Sequence, residues 1–203
     1  WINGSEVRVD NQGNEIRPMQ VEVYDIWQKG YCEDSMGYVV DPYCFYFEKG
    51  VNEITLESIN EPMVLSKLAL VPVKDAYSYQ DYIADQTAPE ASETGKKYVQ
   101  IVEGEDSTVR SESSLYAKYD KSAPNTSPYS VTKTILNYIG GESWKKSGQW
   151  IEWEFEVPED GYYNITIKGR QNYDRGSVAA RTLTIDGEIP FDEMKEVSFA
   201  YGN

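Results

Sequence analysis

The chain has 203 residues, 40% of them hydrophobic and 13% aromatic, which is enough apolar material to exclude global disorder. Its formal net charge is -15 with no histidine, so a phosphate backbone would be repelled, and imidazole catalysis and imidazole zinc sites are excluded. The longest apolar runs fall far short of a membrane span, so no membrane insertion by this segment is expected, and the length suits one large all-β domain or two small ones.

In chain order, Asp10, Asn11, Gln12, Gly13 and Asn14 form a dense turn signal. Across 21–27 apolar and polar residues alternate, which predicts a strand with one buried and one wet face. Cys32 and Cys44 are too few for a disulfide framework; they either pair across a local hairpin or act as two small, partly buried hydrophobes. Asp41 and Pro42 precede an aromatic strand at 43–47, and Glu48, Lys49 and Gly50 turn the chain into 52–56, a predicted hairpin. Residues 64–71 give one more strand. From 74 to 97, Pro89, Gly95, small residues and many charges predict a surface connector with a short helical patch at 79–84.

Residues 98–102 are strand-like, and 111–130 is a polar, tyrosine-rich loop. The run 149–157 has period two, with Trp150, Glu152, Glu154 and Glu156 on one face and Ile151, Trp153, Phe155 and Val157 on the other. Pro158, Glu159, Asp160 and Gly161 read as a turn, since proline fixes φ and glycine admits positive φ. Residues 163–167 then return as the partner strand, and 181–185 with Asp186 and Gly187 continue the β pattern.

Several of these runs resemble a known family. Glu103-Gly104-Glu105, Gly140-Gly141-Glu142-Ser143-Trp144, Gly148-Gln149-Trp150, Asp160-Gly161-Tyr162-Tyr163 and Ile185-Asp186-Gly187 look like the first two thirds of a galactose-binding-like jelly roll, comparable to carbohydrate-binding module families six and thirty-five. The run from Asp186 to Phe191 is similar to tandem modules attached to bacterial extracellular solute-binding proteins of sugar transporters. The stretch 1–73, with its tryptophan strand and the run from Gly50 to Leu56, resembles the remaining, C-terminal third, so the segment order is reversed. The resemblance implies an all-β, galactose-binding-like jelly-roll β-sandwich in permuted order, built from 1–73 and 98–203 around a connector at 74–97, with adjacent termini. Two truncated modules cut from a tandem array are the alternative. Closure into one sandwich is favoured because each half alone exposes unpaired strand edges and an uncovered apolar face.

Sugars present flat apolar ring faces with hydroxyls at the rim, so a carbohydrate site needs an exposed aromatic platform ringed by polar groups. Trp144, following Gly140 and Gly141 in a polar loop, is the candidate platform, with a loop anchor folded onto the sandwich as the equal alternative. Tyr116, Tyr119 and Tyr129 are candidates for further stacking or hydroxyl contacts. The resemblance implies that the strand-end loop holding Asn172, Tyr173, Asp174 and Arg175 contributes contacts; an ordinary turn is the plainer reading. Glu103 and Glu105, two apart, would face one side of a strand and could share a cation with backbone carbonyls. The resemblance implies a structural calcium there, although no third carboxylate is identifiable.

Together these readings imply noncatalytic carbohydrate binding by a secreted or surface-tethered bacterial glycan-capture protein, with a glycan or oligosaccharide as ligand and an attached solute-binding domain as neighbour. No enzyme activity and no nucleic-acid partner are expected. A structural spacer or protein-interaction sandwich is the alternative. A glycoside hydrolase with two catalytic carboxylates is the weaker one, since Glu152, Glu154 and Glu156 read as a solvated acidic row.

Overall fold

The computed structural model describes residues 1–3, 7–24, 26–73, 76–86, 98–122, 125–158, 160–173 and 175–202. In chain order the regular elements are β1 (Ile2–Asn3), β2 (Arg8–Val9), β3 (Glu15–Ile16), β4 (Gln20–Val21), α1 (Tyr79–Asp85), β5 (Val109–Arg110), β6 (Ile151–Glu152), β7 (Val178–Arg181) and β8 (Val197–Ala200). Every strand pairing among the described residues is antiparallel. The chain is therefore β-rich and antiparallel, with one short helix.

Local side-chain chemistry explains the first hairpin. Asp10 Oδ1 accepts hydrogen bonds from the backbone N–H of Gln12 at 2.8 Å and of Asn14 at 2.9 Å, and Gly13 closes the turn at φ 78°. These bonds, with the Asn14 side chain foremost, hold the Asp10 carboxyl below the usual carboxylate range. β2 and β3 then pair in the register Arg8 to Ile16 and Val9 to Glu15.

One sheet has the order β4-β1-β5-β6 and so draws two strands from the start of the chain and two from beyond residue 98. Ile2 faces Val109, and Arg110 faces Ile151. The Trp1 ammonium donates to the Arg110 carbonyl at 3.1 Å, and the Arg110 N–H donates back to the Trp1 carbonyl at 3.0 Å. Beneath this seam the Arg110 side chain is 1% exposed; it donates to Ser107 Oγ at 2.8 Å and to Asn3 Oδ1. β7 and β8 form a separate four-pair ladder from Val178–Ala200 to Arg181–Val197.

The core is small and local. Among the described residues the buried apolar side chains are Pro18, Leu115, Ala117 and Leu136, accompanied by buried Glu105, Ser107, Arg110 and Asn137. It forms where the tyrosine-rich loop folds back on 134–140 through an antiparallel bridge between Lys118 and Tyr138. Helix α1 lies in the predicted connector at the expected helical patch. Ser78 and Asp81 form a reciprocal capping box, and Tyr79 and Tyr82 pack their rings 5.2 and 5.3 Å from Phe191.

Several expectations are corrected. The hairpin at 43–56 does not form a ladder: Asn52 Nδ2 donates to the Glu48 carbonyl at 2.9 Å and the Gly50 carbonyl at 3.3 Å, so the side chain supplies the turn's bonds. The stretches 64–71 and 163–167 likewise form no ladder, and among the described residues of 21–27 only Val21 belongs to a strand. Cys32 and Cys44 are both free and both exposed, even though the Tyr43 N–H reaches the Cys32 carbonyl at 2.8 Å. Glu103 and Glu105 do not flank a strand position, because Gly104–Asp106 is a 3-10 turn. Asn203, and with it the adjacency of the termini, lies outside the described residues, as do Asp174 and most of the connector.

Candidate functional site

Two glycines organise the most elaborate side-chain cluster. Gly140 and Gly141 have φ 95° and 68°, in the left-handed region that a side chain resists, and Gly141–Ser143 forms a 3-10 turn closed by the Trp144 N–H on the Gly141 carbonyl at 2.9 Å. A Cβ on Gly141 would lie 2.7 Å from the Tyr173 hydroxyl and 3.7 Å from Tyr138 Cε2. One on Gly140 would lie 3.1 Å from Trp144 Cε3. The absent side chains are what let three aromatic rings converge on this backbone.

Lys118 joins the cluster to the tyrosine-rich loop. Its Nζ donates to the Gly140 carbonyl at 3.0 Å and to Ser143 Oγ at 2.8 Å, and it lies 5.0 Å from the centroid of the Tyr116 ring. The Arg17 guanidinium sits 4.1 Å from the same centroid. On the Tyr173 side, Arg170 donates to Asp120 Oδ2 at 2.8 Å. Asn137 fixes the loop: its Oδ1 accepts from the Asp120 N–H at 2.8 Å, and its Nδ2 donates to the Asp120 and Pro128 carbonyls, each at 2.9 Å. Burial raises the Tyr138 hydroxyl pKa, with Tyr173 and Asp120 adding to it, so this phenol stays a neutral donor. Bonds from Ser122 and then the Arg170 charge hold Asp120 ionised below its ordinary value.

Trp144 takes the anchoring role more than the open-platform role. The Arg181 guanidinium covers its ring at 4.3 Å and donates to its carbonyl at 2.8 Å, while Trp144 Nε1 donates to the Gln149 carbonyl at 3.1 Å. Gln149 clamps the same loop, accepting from the Lys145 and Lys146 N–H groups at 3.0 and 2.9 Å. Of the residues expected from the sequence, Trp144 and Tyr173 pack against the glycine pair, and Tyr116 is linked to it through Lys118. Tyr119 and Tyr129 are exposed on the neighbouring loop, and Asn172 and Arg175 are exposed beside Tyr173. Tyr138, Lys118, Arg170 and Arg17 were not anticipated. Tyr138 carried a readable signal, since it stands two residues before the glycine pair that drew attention to Trp144.

Gly141→Ala should lower the unfolding free energy by about 1–2 kcal/mol from backbone strain alone, and by more through displacement of Tyr173. Gly148→Ala is the control, because Gly148 has φ 79° with open space around it. Urea unfolding should show Gly141→Ala as the more destabilised of the two; equal losses would mean that Tyr173 does not rest on Gly141.

A cavity of about 510 Å³ lies under the first sheet, lined by Ile2, Asn3, Glu15, Glu103, Glu105 and Asp106 among others. Glu105 is 8% exposed and its Oε2 has no hydrogen-bond partner. Burial pushes its carboxyl up to about 7, with Glu103, Asp106 and Glu15 adding repulsion. Glu103 and Glu105 are the acids of the expected calcium position, and among the described residues no group of three or more acids, cysteines or histidines is placed to hold a metal ion.

No protein-family model, curated protein or solved structure matches this chain. Among the described residues no helix is long and apolar enough to cross a membrane.

Proposed function

We propose that this chain is a noncatalytic carbohydrate-binding β module of a secreted or surface-tethered bacterial protein, one that holds a glycan or oligosaccharide and accompanies a solute-binding domain. The reading rests on the convergence of Tyr138, Tyr173 and Trp144 on the Gly140–Gly141 backbone together with Lys118, which lies beside the Tyr116 ring, and the Asp120–Arg170 pair. Aromatic faces beside fixed donors and acceptors are what a sugar ring requires, and no group in the cluster needs to break a bond. In this proposal the module is a galactose-binding-like jelly roll in permuted order, with 1–73 and 98–203 belonging to one unit. The mixed origin of the β4-β1-β5-β6 sheet supports that arrangement. A structural calcium at Glu105 and Glu103 belongs to the same proposal.

Affinity-gel electrophoresis against plant, microbial and host polysaccharides tests it. Tyr173→Ala and Tyr138→Ala should each weaken retention about tenfold, corresponding to the roughly 1–1.5 kcal/mol of an aromatic contact. Trp144→Ala should weaken it less, because Arg181 occupies one face of that ring. The covering of Trp144 also favours a second reading, a structural spacer that binds no sugar. Absence of retention on every glycan would establish that reading and remove the first.

A further inference from the structure

The chain has 34 acids against 19 lysines and arginines, so its cations ordinarily have carboxylates to choose from. The aromatic cluster departs from that balance. Residues 113–151 hold Tyr116, Tyr138, the glycine pair and Trp144, and there Lys118, Lys121, Lys133, Lys145 and Lys146 stand against Asp120 and Glu142, a net +3 in a chain of -15. The fold then brings in Arg17, Arg170 and Arg181 from outside that stretch.

Carboxylates neutralise part of this charge: Arg170 pairs with Asp120, Lys145 with Glu142 and Lys146 with Glu112. Among the described residues Arg17, Lys118 and Arg181 have no acid within ion-pair distance. Each lies over an aromatic ring instead, and these three make all the cation–ring contacts of the described residues. Two of them share a ring. Arg17 Cζ and Lys118 Nζ are 4.1 and 5.0 Å from the Tyr116 centroid, hence no more than 9.1 Å apart. The ring face offsets only part of the cost of holding two like charges so close.

Both cations also keep donors to give. The exposed Arg17 guanidinium makes one hydrogen bond, to Gln20 Oε1 at 3.1 Å, which leaves most of its fork unspent. Lys118 donates to the Gly140 carbonyl and to Ser143 Oγ, and its third N–H has no acceptor among the described residues. A planar fork beside a point charge suits an oxyanion, which accepts from both and supplies the missing negative charge.

We infer that the ligand of this cluster is an anionic saccharide, whose sulfate or carboxylate group is held by Arg17 and Lys118 beside the Tyr116 ring. The inference rests on the carbohydrate-binding reading and adds the charge of the sugar to it. A chain of -15 repels polyanions as a whole, so retention on one comes from this local excess of cations rather than from general attraction.

Affinity gels with matched backbones test it: dextran against dextran sulfate and carboxymethyl-dextran, and agarose against its sulfated relative carrageenan. In at least one set the anionic polymer should bind about tenfold more tightly than the neutral one, and the sulfate and carboxymethyl arms show which oxyanion is held. Arg17→Gln should lower retention on that polymer about tenfold, the effect of losing a hydrogen bond to a charged group. Lys118→Met should act in the same direction, and Arg17→Gln is the variant that leaves the bonds of the glycine loop in place. Lys67→Gln, at an exposed lysine outside the cluster, should keep full retention. Equal losses in Arg17→Gln and Lys67→Gln would overturn the inference, since overall charge would then be responsible. Retention on neutral polymers without preference for the anionic ones would overturn it and leave the carbohydrate-binding reading standing. No retention on any polymer, neutral or anionic, would remove both.

Discussion

Replacing Leu115 by alanine should remove about 3–4 kcal/mol of unfolding free energy, toward the upper part of the range for buried leucines. Leu115 is 0% exposed, and the other buried apolar side chains among the described residues are Pro18, Ala117 and Leu136. A large core relaxes around a cavity by small shifts of many neighbours, and this one has few to shift. The backbone around it is also held in place. The Leu115 N–H donates to the Glu112 carbonyl at 3.1 Å, Ser114 Oγ donates to Glu112 Oε2 at 3.0 Å, and the facing segment is pinned by the three bonds of Asn137. Domains of this size are stable by only about 5–15 kcal/mol, so the variant should unfold at much lower urea with an unchanged slope. Met19→Ala, at a side chain 59% exposed, should stay within about 0.5 kcal/mol of the parent. A Leu115→Ala loss as small as that of Met19→Ala would place the core elsewhere. The same loss would loosen the loop that presents Tyr116 and Lys118, so under the proposed carbohydrate-binding function glycan retention should fall with stability.

What was legible in the sequence is what short-range chemistry decides. The turn at Asp10 to Asn14 could be read because one carboxylate satisfies the backbone within five residues, and the helical patch because Ser78 and Asp81 cap α1 reciprocally. The Gly140–Gly141 pair marked the candidate site for the same reason: two left-handed residues in succession demand glycine. Strand ladders were not legible to the same degree. The apolar residues of 52–56 and 64–71 record that these stretches expect cover without recording where the cover comes from, and among the described residues neither has a partner strand.

Side chains recruited over long separations were the other omission. Lys118 reaches Gly140 across 22 residues, Arg170 reaches Asp120 across 50, and Arg17 lies over Tyr116 across 99. No spacing rule connects such positions. They become visible once the Lys118–Tyr138 bridge and the β1–β5 pairing bring the segments together. The same pairing turned the Glu103–Glu105 motif from a strand pair into a buried acid beside a cavity, because Ser107, Arg110 and Asn3 close around the 3-10 turn.

That buried acid makes stability depend on pH in a definite direction. The Glu105 carboxyl is raised from 4.5 to about 7 by burial, so between those values the folded chain binds a proton that the unfolded chain has released. Stability contributed by the protonated acid is fully present below pH 4.5, falls as pH rises toward 7, and levels off above it. The total decline is about 3 kcal/mol. Carboxyls held below their ordinary values, such as Asp10 and Asp120, act at lower pH and with the opposite sign, so they leave this window clear. Thermal unfolding should therefore show a midpoint that drops between pH 5 and 8, and Glu105→Gln should flatten the drop and melt higher than the parent at pH 8. Calcium adds a second arm, since an ion on the Glu105 oxygen would favour the ionised carboxylate. Millimolar calcium should then raise the midpoint of the parent at pH 8 and leave Glu105→Gln nearly unchanged. A flat pH profile in the parent would mean that Glu105 is solvated. A steep profile unaffected by calcium would keep the buried acid and remove the ion.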